Sequence, residues 1–234
     1  MKLSGILKIG LAVVITAAGY QFCKAEDEDE VRETIMFAEE GDPKAQNDLG
    51  FYYERGIGVP QSYEKSVYWF RKAAEQGLDI AQCNLGNCYF AGHGVPQDYE
   101  KAAEWYLKSA VQGYAKAQCN LGNCYFKGLG VPPNEDKGVE WYRKAAVQGY
   151  ALGEYNLGVC YENGLGVPQN YEKAVEWYRK AVAQGFDKAQ YNLGVCYYYG
   201  YGVPANVEEA SRLFHEAATQ GNPDAERAIQ VLGL

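Results

Sequence analysis

Histidine is scarce: the 234 residues hold two, His93 and His215, and neither stands in a metal-type spacing. Seven cysteines are present, yet no Cys-x-x-Cys pair occurs, and Cys83 and Cys88 stand five apart. No metal site and no cofactor are expected from these counts. Positive charge is also short. Lys and Arg number 22 against 30 Asp and Glu, a net charge of −8 that repels phosphate backbones and argues against a nucleic-acid partner. Nor is there an apolar run of the ~20 residues needed to span a bilayer. The run from Ile9 to Ala18 is too short.

That run has a different reading. Lys2 and Lys8 precede it, and Cys23-Lys24-Ala25 ends it with small residues on either side of a lysine. Residues 1–25 therefore read as a signal peptide cut after Ala25, with Gly19 as a rival point and an uncleaved anchor as the alternative. A secreted or periplasmic protein is expected, with no stable membrane insertion after cleavage. The segment holds three lysines and no acid, so its removal takes the net charge from −8 to −11. The run Glu26 to Glu30 reads as a solvated start that favours the positive end of the helix after it.

What the chain has in quantity is itself. Ala81-Gln-Cys-Asn-Leu-Gly86 returns as Ala117-Gln-Cys-Asn-Leu-Gly122, Gly153-Glu-Tyr-Asn-Leu-Gly158 and Ala189-Gln-Tyr-Asn-Leu-Gly194. An earlier copy starts at Ala45, so all five starts are 36 residues apart. Such strict self-similarity signals a solenoid whose units touch mainly their neighbours.

Each unit reads as two helices. In the first, Ala81, Leu85, Cys88 and Tyr89 share a face by their spacing of three and four. Gly86 sits inside that helix at a cost of about 1 kcal/mol relative to Ala. Its return at 50, 122, 158 and 194 suggests a neighbouring helix too close for any side chain. Gly92-His-Gly94-Val-Pro96 stops the helix. Ser62, Asp98, Asn134, Asn170 and Asn206 occupy the N-cap slot of the second helix. Its apolar face holds Ala102, Trp105, Tyr106 and Ala110, and Gln-Gly closes it. The domains are then 1–25, signal peptide; 26–43, acidic start and N-terminal capping half-repeat; 44–221, five repeats; and 222–234, C-terminal capping half-repeat.

Export argues for disulfides. Cys88, Cys124, Cys160 and Cys196 share one repeat position, however, and Cys83 and Cys119 another. Equivalent positions on stacked helices lie roughly 10 Å apart, beyond the ~7 Å between α-carbons that a bridge tolerates. The thiols read as small core hydrophobes. A bridge between non-equivalent positions of adjacent units is the alternative.

The patterns A-x-x-x-L-G-x-x-Y, G-x-G-V-P and Y-E-K-A-x-x-W-Y-x-K-A, spread over residues 30–234, resemble the Sel-1-like repeat family, related to tetratricopeptide repeats. The resemblance implies an all-α fold, a right-handed α-α superhelical solenoid with first helices on the concave side. It also implies an adaptor or scaffold for a protein or peptide partner. In the related tetratricopeptide grooves, Asn at these positions bonds an extended peptide. By that resemblance Asn84, Asn87, Asn120, Asn123, Asn156 and Asn192 are groove residues, with Asp48 at the first copy. Lys44, Lys116 and Lys188 would add charge. The other reading is that each Asn ties its own repeat to the next, since buried amides need partners either way.

No catalytic residue is expected. Ser62-Tyr-Glu-Lys65 matches the S-x-x-K of serine β-lactamases, which matters because cysteine-rich members of the family have been described as β-lactamases. The same slot reads Asp98-Tyr-Glu-Lys101 and Asn170-Tyr-Glu-Lys173, and no K-T-G or S-D-N follows. Those members also carry a second-helix cysteine where this chain has Ala74, Ala110, Ala146, Val182 and Ala218. A cell-wall-active enzyme and a plain structural spacer are the alternatives to a binding protein.

Overall fold

The computed structural model describes residues 17–234, with side chains from residue 29. The expected signal peptide lies outside the described residues as far as residue 16. Twelve α-helices and no strand occur among the described residues. They are α1 Ala17–Glu40, α2 Pro43–Arg55, α3 Tyr63–Glu75, α4 Asp79–Ala91, α5 Tyr99–Val111 and α6 Ala115–Lys127, followed by α7 Glu135–Ala146, α8 Ala151–Asn163, α9 Tyr171–Ala183, α10 Asp187–Tyr199, α11 Val207–Thr219 and α12 Pro223–Leu232. Each packs on the next in sequence, and α6 also meets α8. No helix among the described residues is long and apolar enough to cross a membrane.

Local chemistry sets each helix end. Asp98 accepts the Lys101 amide at 2.9 Å, and Ser62, Asn134, Asn170 and Asn206 cap their helices in the same way. Gly92 is left-handed (φ 73°) and donates to the Cys88 carbonyl, which ends α4. A β-carbon on Gly94 would run into the backbone of Tyr63, so the long loop of one unit rests on the start of α3 in the unit before.

The core is a chain of clusters, each shared by adjacent pairs. Leu85 and Cys88 face back onto Val67 and Phe70 of α3, whereas Cys83 faces forward onto Ala102, Tyr106 and Leu121. The two cysteines of α4 thus point to different sides, as their spacing predicts. All six from Cys83 to Cys196 are free and buried. The helical glycines hold aromatic rings of the same unit: Phe70 lies on Gly50, Tyr106 on Gly86, Tyr142 on Gly122, Tyr178 on Gly158 and Phe214 on Gly194. What forbids a side chain there is chiefly a ring, not a helix backbone. Trp105, Trp141 and Trp177 join the apolar face as partly buried side chains packed on the core clusters. Trp105 is half-buried at the edge of the core, with Lys108 Nζ 3.9 Å from its ring centroid.

A buried polar row holds the pairs in register. Gln82 donates to the Ala74 carbonyl at 3.2 Å and accepts from Gln112 at 2.8 Å. Gln46 with Gln76, and Gln118 with Gln148, repeat the arrangement. One amide therefore joins the end of one pair to both helices of the next. In the fourth unit the residue is Glu154, which accepts from Gln184 at 2.8 Å. Burial pushes its carboxyl pKa up, and the Gln184 bond and Lys180 only partly offset that.

The first and last helices follow the same period. Val31 and Ala38 of α1 are buried, as Val67 and Ala74 are one period on. In α12, Arg227 and Gln230 occupy the places of Cys83 and Gly86.

Candidate functional site

First helices project Asn84 and its equivalents onto one side of the stack, half-buried. Between α4 and α6 that side opens into a pocket of about 340 Å³ lined by Asn87, Asn120, Asn123, Tyr106, Phe90 and Lys127, with Leu129 at its edge. Three predicted groove residues meet there.

The hydrogen bonds assign a role to each end of these amides. Asn87 Oδ1 accepts from the Tyr106 hydroxyl at 2.8 Å and from Asn120 Nδ2 at 3.1 Å. Asn123 Oδ1 accepts from the Tyr142 hydroxyl at 2.6 Å. Both carbonyl ends are held by the protein, which leaves the NH₂ ends of Asn87 and Asn123 as oriented donors at the pocket. Of these bonds, Asn120 to Asn87 ties one repeat to the next, and the two tyrosine bonds join the helices within a repeat. Burial raises the pKa of Tyr106 and Tyr142, so both phenols stay protonated donors.

The remaining predicted residues do not all gather there. Asn84 donates to Asn47 Oδ1 at 3.0 Å, an inter-repeat tie. Asn192 donates to the Tyr178 hydroxyl at 3.1 Å, which donates to Glu162 at 2.6 Å. Asn156 has no side-chain partner among the described residues. Asp48, Lys44, Lys116 and Lys188 are exposed, and none of the four lines the pocket. The pocket's cation is Lys127, one helical face along from Asn120 and Asn123. That spacing of seven and four was available in the sequence. Phe90, three residues after Asn87 on α4, was available in the same way, whereas Tyr106 and Leu129 come from the helix pairing and the loop and were not.

The S-x-x-K segment has no catalytic geometry. Ser62 Oγ accepts the Lys65 amide at 3.3 Å and donates to Glu64 at 3.1 Å, while Lys65 Nζ lies over the Tyr53 ring at 5.1 Å. The serine is a helix cap. Burial pushes Cys83 and Cys119 up to about 12, leaving protonated, weakly nucleophilic thiols. No group of three or more metal-type ligands occurs among the described residues.

A family model described as the Sel1 repeat matches residues 43–78, 79–114, 115–150, 151–186 and 187–222. Among solved structures, a Sel1 repeat protein from Oxalobacter formigenes is 33% identical, with a TM-score of 0.83 over 92% of this chain and 88% of that one. A protective antigen of uropathogenic Escherichia coli with an SLR fold is 38% identical, with a TM-score of 0.77 over 85% of this chain. This chain spans 42% of that antigen's length. An immunity protein from Pseudomonas aeruginosa, 22% identical with a TM-score of 0.54 over 81% of this chain and 72% of that one, shares the fold alone. No curated protein matches.

Proposed function

The chain belongs to the Sel1 repeat family, and we propose that it is a non-catalytic adaptor that holds a protein or peptide partner along the face formed by its first helices. The observation that carries this reading is the α4–α6 pocket, where Asn87 and Asn123 present donors whose carbonyl ends are already tied. An extended peptide has a carbonyl at every residue, and pre-oriented amide donors match it at little further entropic cost. Phe90 and Leu129 supply apolar contact, and Lys127 favours an acidic group or a terminal carboxylate.

A secreted or periplasmic location belongs to the same proposal. Its support is the Lys2 and Lys8 pattern before the run from Ile9 to Ala18.

The test is capture from the native envelope fraction, followed by affinity measurement on the recovered partner. Asn123→Arg fills the pocket with a bulky cation, and it should abolish capture while the fold persists. Equal capture by the variant refutes the groove. A nitrocefin assay with Ser62→Ala as control addresses hydrolysis, and turnover that depends on Ser62 would refute the non-catalytic reading.

A further inference from the structure

The opposite face carries a second ladder. Arg71 of α3 donates to the Tyr89 hydroxyl of α4 at 3.1 Å. Arg143 of α7 does the same to Tyr161 of α8 at 3.2 Å, and Arg179 of α9 to Tyr197 of α10 at 2.9 Å. In each case an arginine from a second helix crosses the junction and lies against the next first helix. The α5–α6 junction lacks it. Leu107 stands at the arginine position, and the Tyr125 hydroxyl has no partner among the described residues.

The missing side chain leaves a notch of about 220 Å³ between α5 and α6, lined by Leu107, Tyr125, Glu100 and Glu104 with Val131. Both glutamates are exposed, and neither is in a salt bridge among the described residues. Lys137 lies over the Tyr125 ring at 5.5 Å. Lys101 and Lys173 lie over Tyr89 and Tyr161 at 5.6 and 5.3 Å, where the arginine is also present, so the lysine does not exclude a guanidinium. Three apolar side chains on this part of the stack are exposed: Leu107 in the notch (43%), Val111 one turn further along α5 (65%), and Val147 one period after Val111 (69%).

We propose that this notch is a docking site for an arginine side chain of a protein partner, carried on a short segment with an apolar neighbour. The three sister junctions show what fills this space in the same fold. The Tyr125 hydroxyl would accept from the guanidinium, Glu100 and Glu104 supply the complementary charge, and Leu107 covers the methylene stem. The adjacent apolar residue would rest on Val111 and Val147. This site is on a different face from the groove and does not depend on it.

The test uses the full ¹⁵N-labelled chain and an acetylated, amidated five-residue peptide with arginine between two leucines. Saturable shifts confined to α5, α6 and the Leu129–Pro132 loop are expected, with none from the same peptide carrying citrulline. Leu107→Arg supplies the missing side chain in cis, as its sister units do. It should fold and weaken peptide binding by about tenfold or more. Tyr125→Phe, which removes a hydroxyl that no other residue uses, should weaken it roughly threefold to tenfold with unchanged melting. Shifts that do not saturate, equal binding of the citrulline peptide, or full affinity in both variants would overturn the proposal.

Discussion

The ring of Tyr142 lies so close to Gly122 that a β-carbon there would come within 2.6 Å of Cε1. The ring cannot swing aside, because its hydroxyl is bonded to Asn123 and Phe126 stacks on it with centroids 5.2 Å apart and planes at 10°. Gly122→Ala would gain about 1 kcal/mol in helix propensity and lose about 1–3 kcal/mol or more to overpacking. A net fall in the denaturation midpoint is expected, measured by urea unfolding. A rise would show that the ring relaxes freely.

Ser66 is the reverse case. Its hydroxyl is buried without a hydrogen-bond partner among the described residues, at a position where three other units carry Ala102, Ala174 and Ala210. Ser66→Ala removes the desolvated oxygen and should stabilise the fold by about 1 kcal/mol. Thermal melting checks this, and a lower midpoint contradicts it.

Glu154 gives a pH signature. Its folded pKa is raised by burial, so the folded state favours the protonated form. Its destabilising contribution is absent below the ordinary glutamate pKa. It grows as pH rises from there and is complete above the raised folded value. Glu154→Gln restores the amide of the sister units and should add about 1 kcal/mol at neutral pH. The gap between variant and wild type should shrink toward pH 4 and below. A gap independent of pH would mean that the carboxylate is not the cause.

Asn120 and Asn156 separate tying from binding. Asn120 donates to Asn87, so Asn120→Ala should cost about 1 kcal/mol of stability. Asn156 has no side-chain partner among the described residues, and Asn156→Ala should leave unfolding within about 0.5 kcal/mol of wild type. On the proposed function, its loss shows in partner affinity instead. Full affinity in Asn156→Ala would confine the groove to the α4–α6 pocket.

The 36-residue period made the helices, caps and stacking legible, because each unit repeats its stop signals and its apolar face. The Asn row was legible as a polar line on one face. The role of each amide end was not, since it depends on the Tyr106 and Tyr142 hydroxyls, 19 residues further along the chain. The Gln82–Gln112 pair also escaped the sequence reading. Its members are 30 residues apart, and glutamines beside helix ends look like ordinary surface. Trp105, Trp141 and Trp177 were legible as part of the apolar face, and each packs half-buried against a core cluster. What the sequence did not show is the lysine over the outer side of the ring, Lys108 on Trp105. One correlation was present but needed the structure to be seen. The Gly-facing aromatic is Tyr in the three units that offer Asn87, Asn123 or Glu162 as acceptor. It is Phe70 and Phe214 in the first and last, where Phe51 and Val195 take the asparagine slot; the match is partial, since Val159 takes that slot beside Tyr178 and Glu54 stands at the place of Glu162 in the unit of Phe70.

Site-specific photo-crosslinking in the native host tests the central claim most directly. A photoreactive residue at position 123, in the pocket, should capture a discrete protein or peptide partner. The same residue at position 176, exposed on α9, should not. Crosslinks from 176 but none from 123 would place partner binding elsewhere and contradict the groove.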